Sequence, residues 1–222
     1  MKNLKIKNMT DTSANLYLYG DIVDDGWKWF ESDITPQDVL DQLEQLKGKT
    51  LNIYINSGGG DVFAGTAINN MLRRHDGKTI GHVDGVAASI ASVILMACDE
   101  VVVPANAYVM IHRPECKAEG NVDDLMKACE VLDTIEEGIF TTYLAHSDMD
   151  KETLGQMMKD ETWMTGDQFA EHFTKSVTVV DPVKAVACAT ALSHKRWPKA
   201  IVDKANEDDV KKMALEVALA IS

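Results

Sequence analysis

Three side chains of this 222-residue chain could together perform nucleophilic catalysis: Ser89, His112 and Glu161. A serine hydroxyl is a weak nucleophile, a histidine can take its proton near neutral pH, and a carboxylate can hold the imidazole in the required tautomer. Each residue also has an ordinary explanation, as a helix cap, a structural histidine or an acidic surface residue. Spacing along the chain does not show that the three side chains meet in space.

The serine lies where an expected strand gives way to a short apolar helix, in Gly85-Val-Ala-Ala-Ser-Ile-Ala. Its neighbours two positions away, Ala87 and Ala91, are small, as in the sharp G-x-S-x-G turn that presents a nucleophile. The amide of Ile90 would then point, with the helix N-terminus, toward the oxygen under attack. Local sequence is equally compatible with a nucleophile elbow and with a helix N-cap.

A glycine loop, Gly58-Gly59-Gly60, follows the apolar strand Ile53–Ile55 and precedes an expected helix from about residue 62 to 75. Consecutive glycines permit positive φ angles and a close approach of backbone amides to a ligand. The loop could therefore cradle an anion or oxyanion, although a plain strand-to-helix turn fits the same residues. Gly48-Lys49-Thr50 is not a P-loop, because the first glycine of that motif is replaced by Leu43, and no ATP site is expected.

Strand and helix patterns alternate through the first half of the chain, which predicts a mainly parallel sheet with crossover helices. The strands are expected at 14–18, 51–55, 78–83, 100–103 and 108–111, and helices at 36–46, 62–75 and 88–97. In the second half, Asn121 can cap a long amphipathic helix running to about His146, followed by helices at 151–158, 166–173 and 203–222. One domain with a helical appendage is the simplest organisation.

Composition excludes several classes of function. The formal charge of −13, from 35 acidic and 22 basic residues, argues against nucleic-acid binding. No apolar run is long enough to span a membrane and the N-terminus lacks a signal-peptide pattern, so a cytoplasmic protein is expected. Cysteines 98, 116, 129 and 188 form no CxxC pair and the histidines no HxxxH or HExxH motif, which predicts reduced, mostly buried thiols and no metal site.

At several ordered places the sequence resembles the Clp protease proteolytic subunit, ClpP, over roughly residues 14–182. Leu18-Tyr-Gly-Asp-Ile-Val-Asp-Asp is similar to the end of the first strand and its turn in that family. The other matching segments are Ile53-Tyr-Ile-Asn-Ser-Gly-Gly-Gly-Asp-Val ("YINSPGG"), Gly85-Val-Ala-Ala-Ser-Ile ("GxAAS(M/I)"), Val109-Met-Ile-His-Arg-Pro ("MIHQP") and the acidic segment that begins Glu161-Thr-Trp. The ordered set is specific, although each motif alone is not.

The resemblance implies the α/β ClpP/crotonase-like fold, with repeated β-β-α units, a mainly parallel sheet and a projecting long handle helix. It implies an N-terminal segment 1–13, a protease domain 14–182 and a C-terminal tail 183–222 with an amphipathic helix. Within the protease domain, the head would comprise about 14–115 and 160–182, and the handle about 121–158.

Carried over by position, the resemblance implies Ser89 as nucleophile, His112 as general base and Glu161 as orienting acid. The backbone N–H groups of Gly60 and Ile90 would form the oxyanion hole. The implied protein is a serine endopeptidase that acts through an acyl-enzyme, without cofactor or metal, in a self-compartmentalised homo-oligomeric ring such as two stacked heptamers. Its partners would be polypeptide substrates and no nucleic acid or membrane.

The sequence departs from the family pattern in three places. Gly58 replaces the proline of the glycine loop, which predicts a looser loop and an oxyanion donor misplaced at rest. Glu161 is one methylene longer than the usual aspartate, and Asp160 is an adjacent rival for its role. The tail from about Asp181 has no clear counterpart. With the Glu161-Thr-Trp pattern, the tail is more similar to the ClpP-type prohead proteases of tailed phages and prophages.

In that setting, the enzyme would process capsid or scaffold proteins in the host cytoplasm without an unfoldase, whereas the housekeeping subunit would work with an AAA+ unfoldase. Two other functions stay open. One is a catalytically latent ring subunit that serves assembly, and the other is a crotonase-like acyl-CoA enzyme. The complete serine, histidine and carboxylate set favours the protease over both.

Overall fold

The computed structural model describes residues 4–174 and 177–181 of the chain. Within them, the strands are β1 (Leu4–Lys7), β2 (Ser13–Tyr19), β3 (Thr50–Ser57), β4 (Thr79–Ala88), β5 (Glu100–Pro104), β6 (Tyr108–Ile111), β7 (Thr162–Thr165) and β8 (Val177–Val180). The helices are α1 (Pro36–Glu44), α2 (Val62–Arg73), α3 (Ile90–Leu95), α4 (Val122–Ala145), α5 (Lys151–Lys159) and α6 (Gly166–His172), with a 3-10 turn at Asp25–Trp27. The expected helix at 203–222 lies outside the described residues.

The strands form one mostly parallel sheet, in the order β1-β2-β3-β4-β5-β8, with β6 beside β4 and β7 beside β6. Antiparallel pairing is confined to β1 with β2 and β6 with β7. Strand β4 has two neighbours on the same edge, because Ile80–His82 pair with β5 and Val86–Ala88 pair with β6. This branch brings the end of β4 and the end of β6 side by side. The predicted mixed α/β fold with a mainly parallel sheet is confirmed.

Strict alternation places one face of β2 and β3 in the core. Leu16, Leu18, Ile53 and Ile55 are buried, while the residues between them are partly exposed. All six residues of α3 are buried, which explains why this helix is apolar on every side rather than on one stripe. Among the helices of the described ranges, none is long and apolar enough to cross a membrane.

Helix starts follow their capping residues, and the predicted cap at Asn121 is confirmed. Thr35, Asn121 and Thr165 each form a reciprocal capping box at the start of α1, α4 and α6. The least accurate expectation concerns β4, which continues five residues beyond residue 83, so that α3 begins at Ile90 instead of residue 88. Pairing with β6 keeps this segment extended, and that partner is not visible from local sequence.

Three short strands were not expected from the sequence. β1, β7 and β8 have four residues each, and β1 lies within the segment that was assigned only as an N-terminal extension.

The expectation of mostly buried cysteines is wrong. Cys98 is buried, but Cys116 in the loop before α4 and Cys129 on that helix are exposed, because these elements contribute few residues to the core. Cys188 lies outside the described residues.

Candidate active site

Ser89 occupies a strained turn between β4 and α3. Its φ of 55° and ψ of −129° are unusual for a residue with a side chain. Such conformations cost about 1–3 kcal/mol and persist only where the surroundings impose them. The small, buried Ala87 and Ala88 let the turn pack closely, and Ser89 N–H donates to Met110 O at 2.9 Å. The Ser89 side chain makes no capping hydrogen bond to α3. Ser89 therefore occupies the N-cap position of α3 but does not cap the helix with its hydroxyl.

The serine hydroxyl instead contacts the histidine. Ser89 Oγ lies 2.7 Å from His112 Nε2, within hydrogen-bond distance. The parallel pairing of β4 with β6 produces this contact, because Ala88 lies opposite Met110 and the chain leaves both strands at the same edge. The two residues, 23 positions apart in sequence, thus have the hydrogen-bond distance that a nucleophile and its base require.

Glu161 directly precedes β7, which pairs with β6, the strand that ends before the histidine. Ile111 pairs with Thr162, so the chain at His112 and the chain at Glu161 lie at the same end of this ladder. Glu161 is exposed, has a positive φ of 51°, and its Oε1 accepts a hydrogen bond from Trp163 Nε1 at 3.3 Å. The ladder thus brings the backbones of Glu161 and His112 to one end of β6 and β7, and the Glu161 carboxylate contacts the indole of Trp163.

The rival carboxylate, Asp160, points back to its own helix. Asp160 is the C-cap of α5, and both of its carboxylate oxygens accept from Gln156 Nε2 at 2.9 Å. Because this carboxylate is already engaged along α5, the geometry favours Glu161 for any interaction with His112. The choice between the two carboxylates was open from sequence, where they are adjacent.

The glycine loop is held against both Ile22 and the serine turn. Ile22 N–H donates to Gly59 O at 2.9 Å, and Asp61 N–H donates to Ile22 O at 2.8 Å. These two bonds flank Gly60, so the N–H of Gly60 points to the side away from Ile22. A Cβ on Gly60 (φ +152°) would lie 1.8 Å from Ile22 O, so only glycine fits there.

Gly59 makes the closest approach to the serine turn. At its φ of +92°, a Cβ would lie 2.8 Å from Ser89 Cβ and 3.1 Å from Ile90 N. The loop is further secured by Ser57, whose Oγ donates to Gly20 O at 2.6 Å and accepts from Gly59 N–H at 3.1 Å. Sequence analysis missed Ser57, although its place in the Asn-Ser-Gly segment could have indicated it. These bonds restrain the loop that Gly58 was predicted to loosen.

Sequence analysis also missed an ion pair beside the histidine. Arg113 Nε donates to Glu136 Oε1 at 2.7 Å, and its Nη2 donates to Glu136 Oε2, which ties the chain after β6 to α4. The Glu136 side chain is only 9% exposed, and its hydrogen bonds raise the pKa of Arg113 further above its usual range. Met158 O accepts the N–H groups of both Arg113 and Glu161, at 3.2 and 3.3 Å. Helices α4 and α5 therefore anchor the segment that follows β6 and the segment that precedes β7.

No group of three or more His, Cys, Asp or Glu residues suited to a metal ion occurs among residues 4–174 and 177–181. The chemistry that the described arrangement can perform is that of an activated hydroxyl beside a glycine-rich backbone cradle.

Comparison with known proteins places this geometry in a family. The family model described as Clp protease matches residues 30–173, which is more than half of the chain and includes Ser89, His112, Glu161 and the glycine loop. The chain belongs to the Clp protease family. This Clp protease family member is 31% identical over 127 residues to the ATP-dependent Clp protease proteolytic subunit of Bacteroides thetaiotaomicron, an alignment that covers 56% of the chain and 58% of that relative.

Two more proteolytic subunits give similar figures. That of Porphyromonas gingivalis is 30% identical over 128 residues, covering 56% of this Clp protease family member and 57% of the relative. That of Deinococcus radiodurans is 33% identical over 122 residues, covering 53% and 59%. The chain thus spans a little under three fifths of the length of these curated relatives.

Proposed function

We propose that the protein is a serine endopeptidase with Ser89 as nucleophile, His112 as general base and Glu161 as orienting acid. The observation that carries this proposal is the 2.7 Å contact between Ser89 Oγ and His112 Nε2 on a strained turn. A serine that only capped a helix would not need a positive φ or a histidine partner. Membership of the Clp protease family supports the same reaction class.

The reaction begins when His112 Nε2 takes the proton of Ser89 Oγ, which requires the neutral imidazole to carry its proton on Nδ1. The oxygen attacks the carbonyl carbon of a peptide bond, and the carbonyl electron pair moves to the oxygen. The N–H groups of Gly60 and Ile90 stabilise that oxyanion; loss of one such donor costs about 3–4 kcal/mol.

When the tetrahedral intermediate collapses, the C–N bond breaks and the imidazolium gives its proton to the leaving amine. The acyl group stays on Ser89 until a water molecule, deprotonated by His112, attacks the carbonyl carbon. The bond from that carbon to Ser89 Oγ then breaks, the acid is released, and the imidazolium returns its proton to Oγ. In this proposal the Glu161 carboxylate, which lies at the same end of the β6–β7 ladder as His112, accepts the imidazole Nδ1–H and stabilises the imidazolium.

The proposal extends to a ring of identical subunits that encloses the site. Residues 14–182 form the protease domain in this proposal, the segment 1–13 precedes it, and 183–222 form a tail. Exposed apolar side chains on α4, namely Val122, Leu125, Met126 and Val131, would be covered in such an assembly. We further propose that the substrates are phage capsid or scaffold proteins, because the Glu161-Thr-Trp pattern and the tail depart from the sequence pattern of the housekeeping subunit.

The decisive experiment is labelling of the full chain with a fluorophosphonate, followed by intact mass, beside Ser89→Ala and with light scattering for particle size. One adduct that disappears in Ser89→Ala supports the serine peptidase, and no adduct on a folded parent protein would refute it. Light scattering at the mass of one chain would refute the ring. Discrete cleavage of a purified capsid precursor without ATP supports the phage substrate class, and dependence on an ATP-driven unfoldase would contradict it.

A further inference from the structure

A buried hydroxyl group contacts the peptide that follows the nucleophile, and a second buried hydroxyl contacts the first. Ser92, on α3, is fully buried, and Tyr143, on α4, is 1% exposed. Ser92 Oγ lies 2.6 Å from Ser89 O and 2.7 Å from Tyr143 Oη. It also lies 3.2 Å from Met110 O, the carbonyl that accepts the N–H of Ser89. Buried hydroxyl groups placed this closely form a hydrogen-bonded chain rather than a set of isolated contacts.

The direction of these hydrogen bonds follows from the carbonyl oxygen at which they end, Ser89 O. A carbonyl oxygen can only accept, so the Ser92 hydroxyl donates its proton to Ser89 O, the nearer of the two carbonyls. Its bond with Tyr143 must then be donated by the phenol. Burial raises the pKa of Tyr143 well above its usual range, so the phenol keeps the proton that this bond requires. The chain therefore runs from Tyr143 through Ser92 to the carbonyl of Ser89.

Fixing this carbonyl also fixes an N–H group. The carbonyl of Ser89 and the amide of Ile90 belong to one planar trans peptide, in which C=O and N–H point in opposite directions. Ser89 O already accepts the N–H of Ser92 at 3.0 Å, and the hydroxyl adds a second bond at 2.6 Å. With both lone pairs of the oxygen engaged, the peptide cannot rotate without losing a buried hydrogen bond.

The turn needs such support. A residue at φ 55° and ψ −129° keeps this conformation only where its surroundings over-determine it. The Ile90 N–H must also point at the oxyanion rather than merely near it, because the stabilisation depends on donor geometry.

We propose that Ser92 and Tyr143 are positioning residues that aim the Ile90 N–H into the oxyanion hole by holding the carbonyl of Ser89. This inference rests on the proposed peptidase function. Neither residue touches the reacting atoms, and each acts through the Ser89–Ile90 peptide.

The test compares Ser92→Ala and Tyr143→Phe with a matched control, Ser147→Ala. Ser147 is also buried, donates to a backbone carbonyl (His172 O, 2.9 Å) and accepts one backbone N–H, but it lies after α4. Tyr143→Phe removes only the hydroxyl and keeps the ring that packs edge-on against Phe173 at 5.8 Å. The full chain is reacted with a fluorophosphonate, well below the melting temperature of each variant, over a range of pH.

Complete loss of an oxyanion donor lowers rates about 10²–10³-fold, so misalignment in Ser92→Ala is expected to slow maximal Ser89 phosphonylation roughly 20-fold. Tyr143→Phe is expected to slow it roughly 3-fold, because Ser92 still donates to Ser89 O. The reagent concentration for half-maximal rate and the pH midpoint should not change, since His112 and the binding surface are untouched. Ser147→Ala should react at the parent rate despite its own loss of stability.

Equal maximal rates in Ser92→Ala, Tyr143→Phe and Ser147→Ala would overturn the proposal and leave the peptidase intact. A shifted pH midpoint in Ser92→Ala would overturn it as well, because the loss would then act through His112. If the parent protein does not react at all, the proposed function itself fails and the positioning role with it.

Discussion

Replacing Gly59 by alanine is predicted to disable the serine turn while leaving the fold in place. At φ +92°, an alanine Cβ would lie 2.6 Å from Ala88 O and 2.8 Å from Ser89 Cβ. Carbon atoms in favourable contact are about 3.5 Å or more apart, so either the loop or the turn must move by roughly 0.7 Å. Both atoms belong to backbone or to a Cβ, so no side-chain rotation can relieve the overlap.

Two costs add in Gly59→Ala. The positive φ costs a residue with a side chain about 1–2 kcal/mol. Overpacking of a close-packed site costs a further 1–3 kcal/mol or so. A displacement approaching 1 Å in an active site can reduce rates by about 100-fold. We therefore expect a loss of roughly 2–5 kcal/mol in the free energy of unfolding, together with a roughly 100-fold slower phosphonylation of Ser89.

Gly48→Ala is the matched control. Gly48 has a similar positive φ, +71°, but a Cβ there would meet nothing within 4 Å. It should lose only the backbone contribution of about 1–2 kcal/mol and keep the parent rate of labelling. Urea unfolding measures the first quantity, and fluorophosphonate labelling followed by intact mass measures the second. If Gly59→Ala and Gly48→Ala were equally stable and equally reactive, the inferred contact between the glycine loop and the serine turn would be wrong.

Three further changes test separate parts of the structure. Glu136→Gln breaks the two-point ion pair with the half-exposed Arg113 and should lower the free energy of unfolding by about 1–3 kcal/mol. Its control, Glu137→Gln, breaks only an exposed pair and should lower that free energy by less than about 1 kcal/mol in urea unfolding. Equal losses in the two variants would contradict the inferred anchor between Arg113 and α4. Gly138→Ala, inside α4 with nothing within 4 Å of the new Cβ, should raise the melting temperature and stabilise by roughly 0.5–1 kcal/mol; a destabilised variant would show that something packs there. Burial lowers the pKa of His82 from 6.5, so the folded state binds a proton less readily than the unfolded chain, and stability should fall as the pH drops below about 6.5. Urea unfolding at about pH 7.5 and 5.5 should show a smaller fall in His82→Gln than in the parent protein, and equal falls would assign the pH dependence to other groups.

Much of the fold could be predicted from local sequence, because its causes are local. The alternation in β2 and β3 comes from a two-residue period that any half-buried strand must show. The starts of α1, α4 and α6 follow from side chains that accept the free N–H groups of the first turn. The three unexpected strands are too short for such a period, and they exist because a partner strand supplies their hydrogen bonds.

The candidate site divides in the same way. Ordered motifs singled out Ser89, His112, Glu161 and the glycine loop, because a nucleophile turn needs small neighbours and a close backbone approach needs glycine. What they could not give was the contact between Ser89 and His112, which depends on β6 pairing with the last three residues of β4. Likewise, the sequence favoured Glu161 with Asp160 as its rival, and only the end of α5 showed that the Asp160 carboxylate bonds to Gln156.

The hydroxyl chain from Tyr143 to Ser89 is furthest from prediction, since Ser92 and Tyr143 are 51 residues apart and neither belongs to a recognisable motif. By itself the sequence determined which residue types are available, which segments are helical or extended, and which turns require glycine. Tertiary structure alone decided which side chains meet and which carbonyl receives each buried proton. The physical reason is that hydrogen bonds within a turn or helix depend on neighbours in the chain, whereas buried hydrogen bonds between elements depend on strand pairing and helix packing.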